Sequence, residues 1–188
     1  AILAAPVDLL WNGGIGTYVR ASSESNADVG DRSNDAVRID ATRLRARVVG
    51  EGGNLGFTQA ARIEYSLGGG LMNTDFIDNS AGVDTSDHEV NIKILLADAI
   101  RDGAIPASGR HELLNEMTGE VADLVLRHNY GQNMALAVAR AQAPSLLHVH
   151  ARYLRKLIRD KRLNPEQDEL PGEREIAERR SAGRGLTN

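Results

Sequence analysis

The sequence predicts an α/β fold in which a parallel sheet is followed by a helical C-terminal region. Short apolar runs alternate with amphipathic helical segments through the first hundred residues, and this order is typical of parallel sheets. Beyond Gly103 no further strand pattern appears, and apolar residues recur only at helical spacing.

The first strand is predicted at residues 6–11, PVDLLW, which end in the turn Asn12-Gly13-Gly14. Residues 21–35 are rich in Ser, Asn, Asp and Gly, and we expect them to form a long loop. A short helical stretch near residues 40–45 leads into a second apolar run, RVVGEG. Both apolar runs are short and bounded by turn residues, which favours buried strands.

A helix is predicted over residues 57–67, where apolar residues recur every four positions before SLGGG ends the pattern. The next run, LMNTDFID at residues 71–78, is predicted as a third strand, and residues 84–101 as a further helix. Strand, helix, strand and helix in this order imply parallel pairing.

Two apolar stripes at helical spacing predict a helical bundle over residues 104–162. One stripe consists of Leu113, Met117, Val121 and Leu124, and the other of Leu146, Val149, Tyr153 and Leu157. A last helix is predicted around residues 173–180. The expected organisation is therefore a sheet region at 1–103, a helical region packing on it at 104–162, and a polar helical tail at 163–188.

Composition narrows the possible functions. The chain has 188 residues, a net charge of −4, a pI of about 5.7 and no cysteine. Basic residues are mixed with acidic ones, so no nucleic-acid partner is expected, and no apolar window predicts a membrane span. The absence of cysteine agrees with a cytoplasmic protein, which we expect. We expect no metal site, because thiolate ligands are absent and His148 and His150 lie on different sides of a helix. Since the chain begins inside an apolar run without Met, we also expect a piece of a longer protein.

Three glycines between the second strand and the following helix form G-x-G-x-x-x-G, at Gly50, Gly52 and Gly56. Glycines in such a turn let backbone N–H groups approach a phosphate, to which the helix N-terminus adds partial positive charge. The alternative is that they only turn a strand into a helix. The spacing alone leaves both interpretations open.

Asparagines and glycines follow each predicted strand, and the carboxyl ends of parallel strands meet at the edge of the sheet where ligands bind. The residues concerned are Asn12, Gly13, Gly52, Gly53, Asn54 and Asn79. We therefore expect them to converge on one site. Asparagine also tolerates left-handed turns and caps helices, so each of them has a purely structural alternative.

The segments GEGGNLGFTQAA and MNTDFIDNSAGVDTSDHEVN resemble the later half of the nucleotide-binding domain of glutamate dehydrogenases, where an E-G-A-N-x-P-T turn precedes N-A-G-G-V-x-x-S. The loop YVRASSESNADVGDRSNDA is similar to that of the large NAD-specific bacterial members. The resemblance implies the C-terminal half of a Rossmann-like domain at 1–103, with the diphosphate fingerprint upstream. The glycine turn would then face the nicotinamide side of the cofactor.

By the same resemblance, NAD is the cofactor and six residues line it. Asn54 and Asn79 would contact ribose or nicotinamide, and the other four are Asn12, Gly13, Gly52 and Gly53. Val83 and Ser86 would line the substrate pocket, although Ser86 also opens an S-x-x-E capping box. No catalytic residue is expected here, because the family's catalytic lysine and aspartate motifs do not occur in the chain.

The resemblance implies part of an enzyme that oxidises L-glutamate to 2-oxoglutarate and ammonia and transfers hydride to NAD. Its partners would be the rest of the same polypeptide and further copies in a homo-oligomer. We expect these residues alone to be inactive and to bind NAD weakly. Two alternatives remain: a non-catalytic scaffold or oligomerisation module, and a related dehydrogenase acting on an amino acid such as leucine or phenylalanine.

Overall fold

The computed structural model describes residues 2–167 and 170–186 and divides into two compact units, Ala1–Tyr130 and Gly131–Asn188. The predicted fold class is confirmed, since short parallel strands are followed by long helices. The units divide the chain after residue 130, whereas the sequence placed functional boundaries at 103 and 162. Those functional boundaries stay predictions.

The strands form two parallel pairs in the first unit. They are β1 (Leu9–Asn12), β2 (Val19–Arg20), β3 (Ile39–Asp40) and β4 (Val48–Glu51). β1 lies beside β4 with Asn12 opposite Glu51, and β2 lies beside β3. The first two predicted strands correspond to β1 and β4, and their pairing is parallel as expected.

Six α-helices follow one another along the described residues. They are α1 (Asn26–Val29), α2 (Gln59–Leu67), α3 (Asp75–Asp78), α4 (Ser80–Arg101), α5 (Arg110–Arg159) and α6 (Glu173–Ser181). α2 begins after Thr58, whose hydroxyl accepts the N–H of Ala61 at 3.1 Å. None of the helices in this part of the chain has a stretch long and apolar enough to cross a membrane.

The core of the first unit lies between the strands and α2. Val19, Val49, Phe57 and Ala61 are each at most 2% exposed and pack together with Tyr65. The Tyr65 hydroxyl donates a hydrogen bond to the Ala46 carbonyl at 2.8 Å, and burial raises the pKa of this phenol. The apolar runs of the sequence thus predicted where this core forms.

The segment at 21–35 is more ordered than the predicted loop, because it contains α1 and a 3₁₀ turn, Arg32–Asn34. The Arg38 guanidinium, whose side chain is fully buried, holds this segment together by donating to the Thr17 carbonyl at 2.8 Å and to Asn26 Oδ1 at 2.9 Å. It also bonds the Asp35 carboxylate. The loop is therefore closed around one buried cation.

The third predicted strand, at residues 71–78, is wrong. Only Leu71 forms an isolated parallel bridge, with Val48, and Asp75–Asp78 form the one-turn helix α3. Asp75 and Asp78 instead accept hydrogen bonds from the backbone N–H groups of Leu55 and Glu51. These two bonds tie the one-turn helix to the end of β4 and to the turn that follows it.

The predicted helical bundle at 104–162 is also wrong, because one 50-residue helix, α5, carries both apolar stripes. The stretch between the stripes contains Gly131 and Pro144, which cost a helix about 1 and 3 kcal/mol, yet α5 continues through both. Among the described residues of the second unit, the buried hydrophobic ones are Ala143, Leu147, Ala151 and Ile176, and Ile176 of α6 packs with Leu147 and Ala151. The helix predicted at 173–180 is confirmed as α6.

Candidate functional site

The turn at residues 52–56 joins β4 to the segment before α2, and it contacts the ends of two other elements. The Gly53 N–H donates to the Asn12 carbonyl at the end of β1, at 3.0 Å. The Gly53 carbonyl lies 3.4 Å from the side-chain nitrogen of Asn79, which precedes α4. One glycine therefore links the two neighbouring segments that the sequence predicted to meet here.

Asn54 and Asn79 are in direct contact, because the Asn79 side-chain amide donates a hydrogen bond to Asn54 Oδ1. Asn54 is exposed and Asn79 is half-buried. Among the described residues, none bonds Asn54 Nδ2 or Asn79 Oδ1. The pair thus retains one hydrogen-bond donor and one acceptor that no described residue uses.

The glycines near this turn make room for neighbouring groups. The Trp11 ring lies over Gly50 and Gly52, and a Cβ at Gly50 would come within 2.7 Å of the ring. A Cβ at Gly53 would come within 2.5 Å of the Gly14 carbonyl oxygen, and one at Gly56 would meet the Asn12 amide. Close packing therefore explains the glycine spacing without a phosphate.

A buried ion-pair network supports the turn from below. Glu51 is fully buried, and Arg62 on α2 donates to its two carboxylate oxygens at 2.7 and 3.0 Å. Arg62 also pairs with Asp75 at 3.2 Å. Burial raises the pKa of Glu51, and the hydrogen bonds from Arg62 oppose this effect. Burial lowers the pKa of Arg62, but the carboxylates of Glu51 and Asp75 outweigh it, so that this pKa is raised.

Carboxylates also accept hydrogen bonds from the backbone N–H groups in and beside the turn. Leu55 N–H donates to Asp75 at 2.8 Å, Phe57 N–H donates to Glu51 at 3.2 Å, and the Glu51 N–H itself donates to Asp78 at 3.0 Å. A phosphate cradle needs free N–H groups and positive potential. These bonds and the nearby negative charges disfavour the phosphate-binding interpretation of the glycines.

Asn12 is placed differently from Asn54 and Asn79. Its Nδ2 atom is buried and has no hydrogen-bond partner among the described residues, whereas its carbonyl binds Gly53. Gly13 is exposed at the same strand end. The structure therefore brings Asn12 to the turn through its backbone, and its predicted contact with a cofactor stays a prediction.

Val83 and Ser86 lie inside α4, one and two turns beyond Asn79. Positions 79, 83 and 86 fall on one face of a helix, and the side chains of Val83 and Ser86 are exposed. The capping-box alternative for Ser86 is wrong, because α4 already begins at Ser80. Their contact with a substrate stays a prediction.

Trp11 and the Glu51–Arg62–Asp75 network were not predicted as part of this site. A Trp at the end of a strand and a Glu directly before Gly-Gly are visible in the sequence, but neither pattern identifies a partner. Arg62 is identifiable from the sequence only as one position in the predicted helix at 57–67. The pairing of residues 11 to 24 positions apart is a property of the fold.

The geometry defines an α/β protein with short parallel strands and a glycine- and asparagine-rich site at their carboxyl ends. A family model described as bacterial NAD-glutamate dehydrogenase, catalytic domain, matches residues 1–139. The chain belongs to this family.

Curated relatives extend the match over the whole chain. An NAD-specific glutamate dehydrogenase of Mycobacterium tuberculosis is 57% identical over 188 residues, and that of Pseudomonas aeruginosa is 54% identical over 187 residues. The protein of the same name from Halomonas elongata is 47% identical over 187 residues. The chain spans 12% of the length of each of these relatives.

Proposed function

We propose that this chain supplies the nicotinamide side of the NAD site in an NAD-dependent glutamate dehydrogenase. The reaction is the oxidative deamination of L-glutamate to 2-oxoglutarate and ammonia, with hydride transferred to NAD. The contact between Asn54 and Asn79 carries the proposal, because it joins two turns into one polar surface. The family to which the chain belongs supports the type of reaction.

The chemistry of the asparagine pair matches a carboxamide. Nicotinamide presents one carbonyl acceptor and one NH₂ donor, and the pair offers Asn54 Nδ2 and Asn79 Oδ1 in return. Gly52 and Gly53 support the pair, because without Cβ atoms the turn packs closely against the Trp11 ring and Gly14. Asn12 and Gly13 then hold and border this surface at the end of β1.

The substrate is proposed to lie along the face of α4 that continues from Asn79. Val83 supplies an apolar contact, and the Ser86 hydroxyl donates to the distal carboxylate of glutamate. Both side chains are exposed and therefore accessible to a ligand. A substrate that lacks the second carboxylate would not use Ser86, which separates this proposal from a dehydrogenase for leucine or phenylalanine.

The catalytic lysine and aspartate are proposed to lie in another part of a longer enzyme. The chain has only three lysines, of which Lys93 pairs with Glu89 and Lys156 with Asp160. The relatives are about eight times longer, because the chain spans 12% of their length. The 188 residues alone are accordingly expected to be inactive and to bind NAD weakly.

The test is steady-state kinetics of the full-length enzyme with Asn79→Ala and Asn54→Ala. Each substitution removes a hydrogen bond worth about 1 kcal/mol, so the KM for NAD should rise about fivefold, with a smaller change in the KM for glutamate. Asn91→Ala is the matched control, because Asn91 lies exposed on α4 and bonds only the Asp87 carbonyl. An unchanged KM for NAD in both variants would refute the cofactor role.

One observation favours a second candidate, a scaffold module. α4 and α5 enclose an apolar groove of about 510 Å³, lined by residues such as Ile92, Leu114, Met117 and Val121. A groove of this kind suits docking of another part of the protein. The asparagine variants and Met117→Glu together separate the two candidates. A scaffold role predicts unchanged NAD kinetics when the asparagines are replaced and altered assembly in Met117→Glu.

A further inference from the structure

Three potential metal ligands converge between α4 and α5 in the first unit. Asp84 and His88 lie one turn apart on α4, and His128 comes from α5. His128 Nδ1 is 2.8 Å from Asp84 Oδ2, and His88 Nε2 is 3.5 Å from Asp84 Oδ1. All three ligand atoms lie within 4.8 Å of one another.

The hydrogen bond between Asp84 and His128 leaves one atom of this cluster unexplained. His88 Nε2 is buried and makes no hydrogen bond to any residue that the structure describes. The two imidazole rings are nearly parallel, with their centroids 5.9 Å apart and an angle of 18° between the planes. A buried nitrogen without a partner is costly, and this one faces a carboxylate and a second imidazole.

We propose that Asp84, His88 and His128 bind one divalent transition-metal ion, and that zinc fits them best. Two imidazoles and one carboxylate are common zinc ligands, with bonds of about 2.0–2.2 Å. Around a tetrahedral ion with such bonds the ligand atoms lie about 3.4 Å apart, so the imidazole side chains must rotate to bring atoms that now lie within 4.8 Å of one another onto one ion. About half of the His128 side chain is exposed, which leaves access for water as the fourth ligand.

The ligand set also selects the type of ion. Magnesium and calcium prefer oxygen ligands, whereas this cluster offers two nitrogens and one carboxylate. His88 lies in the third turn of α4, and its side chain is only 28% exposed. His128 is 44 residues from Asp84 along the chain, so spacing could not reveal the set.

The bound ion would join α4 to α5 close to the start of α4. A second contact between the helices lies beside it, where Ser80 Oγ is 2.9 Å from Asn129 Oδ1. Ser80 follows Asn79 directly, so the metal would stabilise the helix whose first residue adjoins the proposed nicotinamide contact. The site itself does not depend on the proposed NAD function.

The test is calorimetric titration of the purified protein with ZnCl₂ after removal of metals by a chelator. We expect one zinc ion per chain and no binding of MgCl₂. His128→Gln and Asp84→Asn keep a hydrogen bond between these positions but remove a zinc ligand, so each should weaken zinc binding about tenfold or more. His111→Ala, on the same helix but outside the cluster, should bind zinc like the unaltered protein.

Thermal unfolding gives a second measurement, because an ion that binds only the folded state raises the Tm. Zinc should raise the Tm of the unaltered protein and of His111→Ala but not that of His128→Gln. Circular dichroism of the metal-free variants should match that of the unaltered protein, since His128 is partly exposed. Absence of zinc binding by the unaltered protein, or undiminished binding by His128→Gln, would overturn the proposal.

Discussion

Arg62 donates hydrogen bonds to both carboxylate oxygens of Glu51 at 2.7 and 3.0 Å, in the interior beneath the 52–56 turn. Glu51 ends β4 and Arg62 lies in α2, so this pair fixes the distance between the strand and the helix that flank the turn. The position of Asn54 therefore depends on a buried ion pair beneath the turn.

The first prediction concerns this pair. Arg62→Met leaves the Glu51 carboxylate, which is fully buried, without its cation, and removing one partner of a buried pair costs about 3–5 kcal/mol. The free energy of unfolding, measured by urea denaturation, should fall by that amount. We also expect weaker NAD binding by the full-length enzyme, since the turn loses its support.

The control for Arg62 is Arg47→Met. Arg47 pairs with Asp8 at 3.1 Å, but both side chains are at least 80% exposed. A pair in water contributes about 1 kcal/mol or less, so this variant should keep nearly all of its stability. Equal losses of unfolding free energy in the two variants would show that burial does not determine how much the Glu51–Arg62 pair contributes to stability.

The second prediction concerns Gly53, where the turn approaches the backbone that follows β1. In Gly53→Ala the new Cβ would come within 2.5 Å of the Gly14 carbonyl oxygen, and backbone on both sides would have to move. Overpacking of this kind costs about 1–3 kcal/mol in the free energy of unfolding. The KM for NAD should rise as well, because Gly53 also contacts Asn12 and Asn79.

Gly119→Ala is the comparison for Gly53. Gly119 lies inside α5, and a Cβ there would meet no atom within 4 Å. Alanine in a helix should stabilise the protein by about 0.5–1 kcal/mol relative to glycine. Opposite signs for the two glycines are expected, and stabilisation by Gly53→Ala would contradict the close approach described above.

The sequence predicted the elements whose cause is local. β1 and β4 are short apolar runs, α2 and α4 have helical spacing, and asparagine and glycine mark the strand ends. The third strand failed because residues 71–78 are shaped by distant partners, Asp75 by Arg62 and Asp78 by the Glu51 backbone. A pattern within a window cannot contain these contacts.

The residues of the candidate site were likewise predictable only where a local pattern marks them. The sequence predicts that Asn54 and Asn79 meet because it places each of them after a strand, but Asn79 follows the one-turn helix α3 instead. Asn79 lies beside the turn because Asp78 of α3 accepts the Glu51 N–H. The support beneath them and the cluster of Asp84 and His128 join residues 11 to 44 positions apart. Sequence spacing carries no information on such pairs, so only the folded structure revealed them.

The third prediction concerns Leu55, whose φ of 59° places it in the left-handed region. A side chain there costs about 1–2 kcal/mol, so Leu55→Gly should raise the free energy of unfolding by about 1 kcal/mol. Leu55 is 65% exposed, and little apolar packing is lost. Leu95 lies within α4 with its side chain exposed, and Leu95→Gly should instead lower the free energy of unfolding by about 1 kcal/mol. Destabilisation of similar size in both variants would contradict strain at Leu55.

The fourth prediction concerns Asp31 and the segment closed by Arg38. The Asp31 carboxylate accepts the Thr17 N–H at 2.9 Å and an amide hydrogen of Asn34, and these bonds lower its pKa below the ordinary 3.8. A lowered pKa means that the folded state favours the charged form. The stabilisation is therefore complete above pH 3.8 and is lost as the pH falls through the lowered pKa.

Hydrogen exchange of residues 17–38, corrected for intrinsic rates, should therefore show constant protection above pH 3.8 and a decline below it. Asp31→Asn should reduce protection at neutral pH and remove most of the decline, because the amide does not titrate. Asp8→Asn should leave the profile unchanged, since the exposed Asp8 carboxylate bonds Arg47 and none of residues 17–38. If Asp31→Asn kept the full pH dependence, the closure of this segment would have to depend on another group, with Asp28, whose pKa is lowered by Ser25, as the next to replace.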